Sequence, residues 1–309
     1  EELLKMSTAT KTIAALVDAV AFRSPSRIAL KSPFQSQSFT YGEVRRTTNA
    51  LAGWLQLYGF EKNDLLISDL PNVSENLMLQ LACNRIGVRY ATAKNTESMA
   101  KFPKVKGAAV SDLSKGFLAD TGLPLPPLAA DFLVDLIHNG GLDDFQDEEP
   151  ELQEIEEGET TAHAYYNSTT PFTNRQAIEQ GEKAAFELSM SENDVVCISI
   201  TLCHAFGMGS AVCSSFAQGA TIVLPAVGGI QGCGIPSERA LATLEVLKSE
   251  HCTLMFADSH TLKALPEPDH LVDLVLRGGV CKIGSGTTFL EETRQYAGIT
   301  LQTIGSDKS

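Results

Sequence analysis

No uninterrupted apolar stretch in this 309-residue chain reaches membrane-spanning length, which argues against a transmembrane helix. No two cysteines stand in CxxC spacing, and no His/Cys cluster has the spacing of a zinc site, so a structural metal is not expected. The seven cysteines, at 83, 197, 203, 213, 233, 252 and 281, are odd in number. Most lie in apolar surroundings such as "VVCISI" and "SAVCSSF". Buried thiols in a reducing intracellular compartment are the expectation. Positive charge is scarce: 24 Lys and Arg stand against 38 Asp and Glu, a net charge of −14. A nucleic-acid surface needs clustered cations, so nucleic acid is not an expected partner. His163 and His251 have no evident partner for triad chemistry, and a serine or cysteine hydrolase is unsupported. The chain begins at Glu1 rather than Met, so the start and any targeting signal are expected to be missing. An organelle such as the mitochondrial matrix is consistent with that.

What is present is unevenly spread. Residues 143–159, "DDFQDEEPELQEIEEGE", hold ten carboxylates and no Lys or Arg, which leaves only −4 for the rest of the chain. Self-repulsion predicts a solvated linker there, with a docking surface for a basic partner as the alternative. The flanking halves alternate helix and strand. Thr40 and Glu43 form a capping box. The helix behind them carries Val44, Leu51, Trp54, Leu55 and Tyr58 on one stripe and stops at Gly59. "DLLISDL" reads as a strand, Val73 to Ile86 as a helix and "VRYATAK" as a strand. "GLPLPPL" is a proline-rich loop, and "ADFLVDLI" a short helix. Beyond the linker, "DVVCISI", "GATIVLP", "CTLMFA", "GVCKIGS" and "GITLQTIGS" read as strands. Helices are expected over residues 208–217, from a Ser237 cap to about Glu250, over "LVDLVL", and from Glu291 to Tyr296. The pattern predicts an α/β fold of stacked subdomains, with mainly parallel sheets covered by helices. Its divisions are expected at 1–142, 143–160 and 161–309.

The stretch "AYYNSTTPFTNRQ", residues 164–176, has the hydroxyl-rich rhythm of a phosphate-gripping loop but no glycine and no lysine. In order along the chain stand "FTYGEVRRTTNALAGWLQLYGF", "YYNSTTPFTNR", "ISITLCHAFGMGSAVCSSFAQGATIVLP", "LMFADSHTLKAL", "IGSGTTFLEE" and "LQTIGSDKS". Together these motifs resemble the large N-terminal domain of the adenylate-forming superfamily, which includes acyl-CoA synthetases, luciferase and peptide-synthetase adenylation domains. The resemblance implies an ancestral reaction in which a carboxylate and ATP give an acyl-adenylate, followed by thioester formation.

Residue by residue, the resemblance implies that this chemistry is missing. The two inner glycine positions of the phosphate loop are Ser168 and Pro171, and proline offers no N–H. The lysine position is Asn174 and the last glycine position is Arg175, a bulkier cation one position displaced. Thr169 and Thr170 match, although hydroxyls that stabilise a turn explain them as well. Aligned on Gly305, Ser306 and Lys308 occupy the motif whose glutamate helps hold Mg²⁺, so a carboxylate has become an ammonium. Asp307 supplies one only if the register slips. Ser285 and Gly286 resemble the adenine-side loop, but the second glycine is Thr287. His204 and Gly207 match the acyl-pocket signature, with a satisfied interior histidine as the plainer reading. The family's later ribose-binding aspartate, hinge and mobile C-terminal domain have no counterpart before Ser309. No cofactor is expected. The sequence thus predicts a catalytically inactive, structural subunit of a larger protein complex. The alternatives are a synthetase fragment active with a partner chain and a non-catalytic acyl-binding module.

Overall fold

The computed structural model describes residues 12–92, 99–102, 104–111, 122–145, 163–165, 170–225, 235–266 and 274–306. Two mainly parallel sheets carry the fold. In chain order the elements of the first half are α1 (Ile13–Arg23), β1 (Ile28–Ser32), β2 (Gln37–Thr40), α2 (Tyr41–Tyr58), β3 (Leu65–Ser68), α3 (Ser74–Arg85), β4 (Arg89–Thr92), β5 (Val105–Val110), β6 (Leu128–Ala129) and α4 (Ala130–His138). The second half contributes β7 (His163–Tyr165), β8 (Phe172–Thr173), α5 (Asn174–Glu187), β9 (Val195–Ser199), a π-helix (Phe206–Cys213), α6 (Ser214–Gln218), β10 (Thr221–Val223), α7 (Pro236–Ser249), β11 (Leu254–Asp258), α8 (Ser259–Ala264), β12 (Gly278–Lys282), β13 (Thr288–Tyr296) and β14 (Ile299–Gly305).

One sheet has six strands in the order β6-β5-β3-β4-β7-β8, the other eight in the order β13-β14-β12-β11-β9-β10-β1-β2. Both draw strands from both sides of the acidic segment. β1 pairs parallel with β10, Leu30 opposite Ile222, and β4 pairs parallel with β7, Tyr90 opposite Ala164. Antiparallel pairs occur at the sheet edges, as β1/β2, β7/β8 and β13/β14. The central strands β3, β9 and β11 are apolar and buried almost end to end, as a sheet covered on both faces requires.

The expected capping box is formed. The Glu43 N–H donates to Thr40 Oγ1 at 3.2 Å, the Thr40 N–H donates to Glu43 Oε2 at 2.7 Å, and Gly59 ends the helix at φ +112°. Two charged clusters lie under the helices. Arg85 has a side chain only 2% exposed; it donates to both oxygens of Asp18 at 2.8 Å and to Thr48 Oγ1 at 2.9 Å. Glu75 on α3 meets His138 on α4 at 2.5 Å and accepts two bonds from Gln35, at 2.7 and 2.9 Å. Burial alone would raise the Glu75 carboxyl's pKa, but the bonds from His138 and Gln35 hold it below the ordinary value.

Four expected elements differ. The residues from Glu291 to Tyr296 are not a helix; they belong to strand β13, which folds back on β14. Ala297 and Gly298 make the turn at φ +51° and +77°, the two left-handed residues that a tight right-twisted hairpin demands. Alanine hides that signal. Ser237 caps nothing, because Pro236 takes the first helical position and Ile235 precedes it. The helix expected over 208–217 starts at Phe206 and is wound as a π-helix to Cys213 before α6 takes over. It lies close against α5: a Cβ on Gly181 would stand 2.6 Å from Cys213 Cβ. Of "LVDLVL", residues 271–273 fall outside the described residues, and 274–276 are not helical.

Candidate functional site

β7 and β8 pair antiparallel, His163 opposite Thr173, so the phosphate-like segment is the short link between them. Ser168 and Thr169 lie outside the described residues, Thr170 is exposed and Pro171 half-buried. α5 starts at once behind the link. Its capping box is Thr173 with Gln176, closed by bonds of 3.2 and 3.0 Å. Asn174 is therefore the first helical residue. It points inward and is only 6% exposed. Its Oδ1 accepts the Ile13 N–H at 3.1 Å and Asn84 Nδ2 at 2.7 Å, while Asn84 Oδ1 accepts the Ala14 N–H at 3.0 Å. Two free amides at the start of α1 are thus capped by side chains from α5 and α3. Beside this knot is a cavity of about 30 Å³, lined by Asn84, Asn174, Tyr90 and Phe172. It has room for about one water. Arg175 points out and pairs with Glu179 at 2.8 Å, both side chains more than half exposed.

His204 is half-buried before the π-helix, its N–H bonded to the Thr201 carbonyl and its carbonyl to the Met208 N–H. Gly207 is required by packing: a Cβ there would stand 2.4 Å from the Thr201 oxygen.

The two segments that the resemblance assigns to the adenine side lie against each other. Gly286, at φ +82°, lies flat on the end of β14, where a Cβ would be 2.5 Å from the Gly305 oxygen. Ser285 and Ser306 join their hydroxyls at 2.9 Å, and Ser306 also donates to the Ser285 carbonyl at 3.2 Å. Ser306 borders an open depression of about 810 Å³ whose charged lining is Glu291, Glu292 and Arg294, with Arg294 pairing to Glu292 at 3.4 Å. Asp307 and Lys308 fall outside the described residues.

Three residues that sequence reasoning missed join these parts. Asn84 completes the knot. Gln180 on α5 donates to Thr287 Oγ1 at 3.3 Å, tying the helix of the phosphate-like segment to the adenine-side loop. Lys282, at the end of β12, is half-buried with its ammonium 5.8 Å above the Phe206 ring, and burial pushes its pKa down to about 8. A lysine closing an otherwise apolar strand is the one signal of the three that the sequence carries; the other two are long-range hydrogen bonds.

Residues 17–99 match the model of the AMP-binding enzyme family. Acetyl-coenzyme A synthetases of Emericella nidulans and Phycomyces blakesleeanus are 33% and 36% identical to the chain over 75 residues. That segment is 23% of this chain and only 11% of either relative. In three dimensions the likeness is wider. The N-terminal domain of FACL13 from Mycobacterium tuberculosis superposes with a TM-score of 0.69 at 14% identity, covering 88% of this chain and 70% of that one. A fatty acyl CoA synthetase of the same organism gives 0.70 at 15% identity, covering 89% and 55%. By fold over most of its length, and by sequence over residues 17–99, the chain resembles the N-terminal domains of the adenylate-forming, AMP-binding superfamily.

Proposed function

We propose that this chain is a catalytically silent relative of acyl-CoA synthetases, kept for its shape as a subunit of a larger protein assembly. The observation that carries the reading is Asn174. At the position that the resemblance assigns to the phosphate-facing lysine, the side chain is buried and committed to α1 and α3. The adenine-side hydroxyls satisfy each other, and the neighbouring depression presents Glu291 and Glu292, whose charge opposes a triphosphate. Removal of one transition-state contact typically costs roughly 10²- to 10³-fold in turnover, so the loss of several leaves little catalysis.

A partner is supported by apolar surface: Phe22 on α1 and Phe186 on the adjoining α5 are 70% and 81% exposed. The six described cysteines are buried and form no disulfide with one another, in keeping with a reducing compartment, of which the mitochondrial matrix is one. Isothermal titration with MgATP tests the silent site. No binding heat is expected, and micromolar binding overturns the reading. Sedimentation of the protein in a native extract tests the assembly: it should run well above the mass of a single copy of its polypeptide as read on a denaturing gel, and a monomer peak refutes a subunit role.

A further inference from the structure

From Gly116 to Asn174 the chain contains no Lys or Arg. Within that stretch Asp131 and Asp135 are exposed on α4, and Asp143 and Asp144 on the turn that follows it. Asp131, Asp135 and Asp144 make no salt bridge among the described residues. α4 lies beside the second half of α2, which carries no charge from Thr47 to Tyr58. Both cations of α2, Arg45 and Arg46, stand in its first half, two turns before Trp54, and Arg46 shares a cavity lining with Asp143. In the uncharged half an aromatic row reaches the surface. Trp54 stacks on Tyr58 at 4.8 Å between ring centres and meets Phe132 of α4 at 5.6 Å. The Tyr58 hydroxyl donates to the Pro126 carbonyl at 3.0 Å, which fixes one end of the row. Leu57, one turn from Trp54, is 76% exposed, and Phe132 is 43% exposed. Gly53 is one turn before Leu57 on the same face, and a Cβ there would stand 3.9 Å from Phe145. Asp143 and Asp144 therefore enter beside the same row. Exposed apolar residues scattered singly are ordinary, but a contiguous apolar row rimmed by one sign of charge marks a surface that binds.

We propose that this face of α2 and α4 docks a basic amphipathic helix of a partner protein. The apolar side of such a helix covers Leu57, Trp54 and Phe132, in the manner of a helix laid into a groove. Its arginines reach Asp131 and Asp135 on α4 and Asp144 beyond it. A guanidinium laid over the Trp54 ring adds a cation–π contact. A second copy of this chain suits the face poorly, because at a net charge of −14 it brings charge of the same sign. An anionic membrane suits it poorly for the same reason. The proposal rests on the reading of the chain as a subunit and adds the chemistry of one partner. It does not depend on the silence of the nucleotide site, and it involves α2 and α4 rather than the α1 and α5 that carry Phe22 and Phe186.

Trp54 is the chain's single tryptophan, so its emission reports from this face. The test is a fluorescence titration of the full chain with a synthetic helix of about 18 residues, roughly five turns, built from Leu and Arg without aromatics. One control peptide keeps the arginines and replaces each Leu by Gln. The other keeps the leucines and replaces each Arg by Glu. A saturable change in Trp54 emission is expected with the Leu/Arg helix, with affinity at least about tenfold above either control. Binding should weaken as salt rises from about 50 to 500 mM. Leu57→Ser combined with Phe132→Ser should weaken it about tenfold, and so should Asp131→Asn combined with Asp135→Asn. The peptide comparison uses wild-type protein and decides the matter even where a variant fails to fold. An unchanged Trp54 emission overturns the proposal. So does equal binding of the Gln/Arg peptide, which would be plain charge attraction. Trp54 emission that shifts with protein concentration alone, together with a dimer in sedimentation, would give the face to a second copy and overturns it as well. A heavy particle in the native extract without peptide binding at Trp54 overturns this surface and leaves the subunit reading in place.

Discussion

Thr40 and Thr173 open their helices with the same reciprocal capping box, yet the two helix starts do different work. Behind Thr40, Tyr41 is fully buried, its hydroxyl donating to the Ala220 carbonyl at 2.7 Å, and α2 is framework from its first turn. Behind Thr173, the position that the resemblance assigns to a ligand-facing lysine is an asparagine turned inward onto α1 and α3. The comparison shows that one capping pattern can precede either an aromatic side chain sunk in the core or an amide that caps a neighbouring helix. The local cap needs no change, because capping bonds are made within four residues and are indifferent to what lies beyond the helix end.

The comparison can be broken in four ways. The largest effect is expected from Asp18→Ala, in the undisputed framework. It leaves the Arg85 guanidinium buried with Thr48 as its remaining bonded partner and should cost about 3 kcal/mol in a denaturant titration. If Asn174 is framework too, Asn174→Ala should behave in kind, at about 2 kcal/mol, by stranding the Ile13 N–H and the Asn84 amide. Asn174→Lys should be at least as destabilising and should gain no affinity for MgATP. A lysine that restored nucleotide binding there would show that the segment is still a ligand site.

A third, smaller effect is confined to acid. The Glu75 carboxyl has its pKa lowered in the folded state, so its contribution is complete above the ordinary value of 4.5 and is lost as pH falls through the folded value. Urea midpoints measured on descending from neutral pH should fall in that range for the wild type, and Glu75→Gln should flatten that part of the curve. The finest test sets Thr40→Ala beside Thr173→Ala. Each should cost about 1 kcal/mol, and a clear inequality would mean that the second box lacks the structural weight assigned to it.

The capping box at Thr40, the glycine stop at Gly59 and the buried strands β3, β9 and β11 were legible, because local periodicity and end chemistry decide them. β13 was not. "FLEETRQY" is rich in helix formers, and only its pairing with β14 across a left-handed alanine turn makes it a strand. At the site, the resemblance assigned both segments to one side, but the contact of Ser285 and Gly286 with Gly305 and Ser306 is read only from the structure. The inward role of Asn174 was not, since its partners Ile13 and Asn84 are 161 and 90 residues away and no spacing rule reaches that far.

The exchange of strands between the two sheets has a practical result. Cutting the chain anywhere within residues 146–162 would leave the N-terminal piece holding β1 and β2 with no β10 to dock on. The C-terminal piece would hold β7 and β8 with no β4. Neither fragment should fold when expressed alone. Mixed together they should recover a nicked but intact molecule, which makes this protein a natural candidate for split-reporter use.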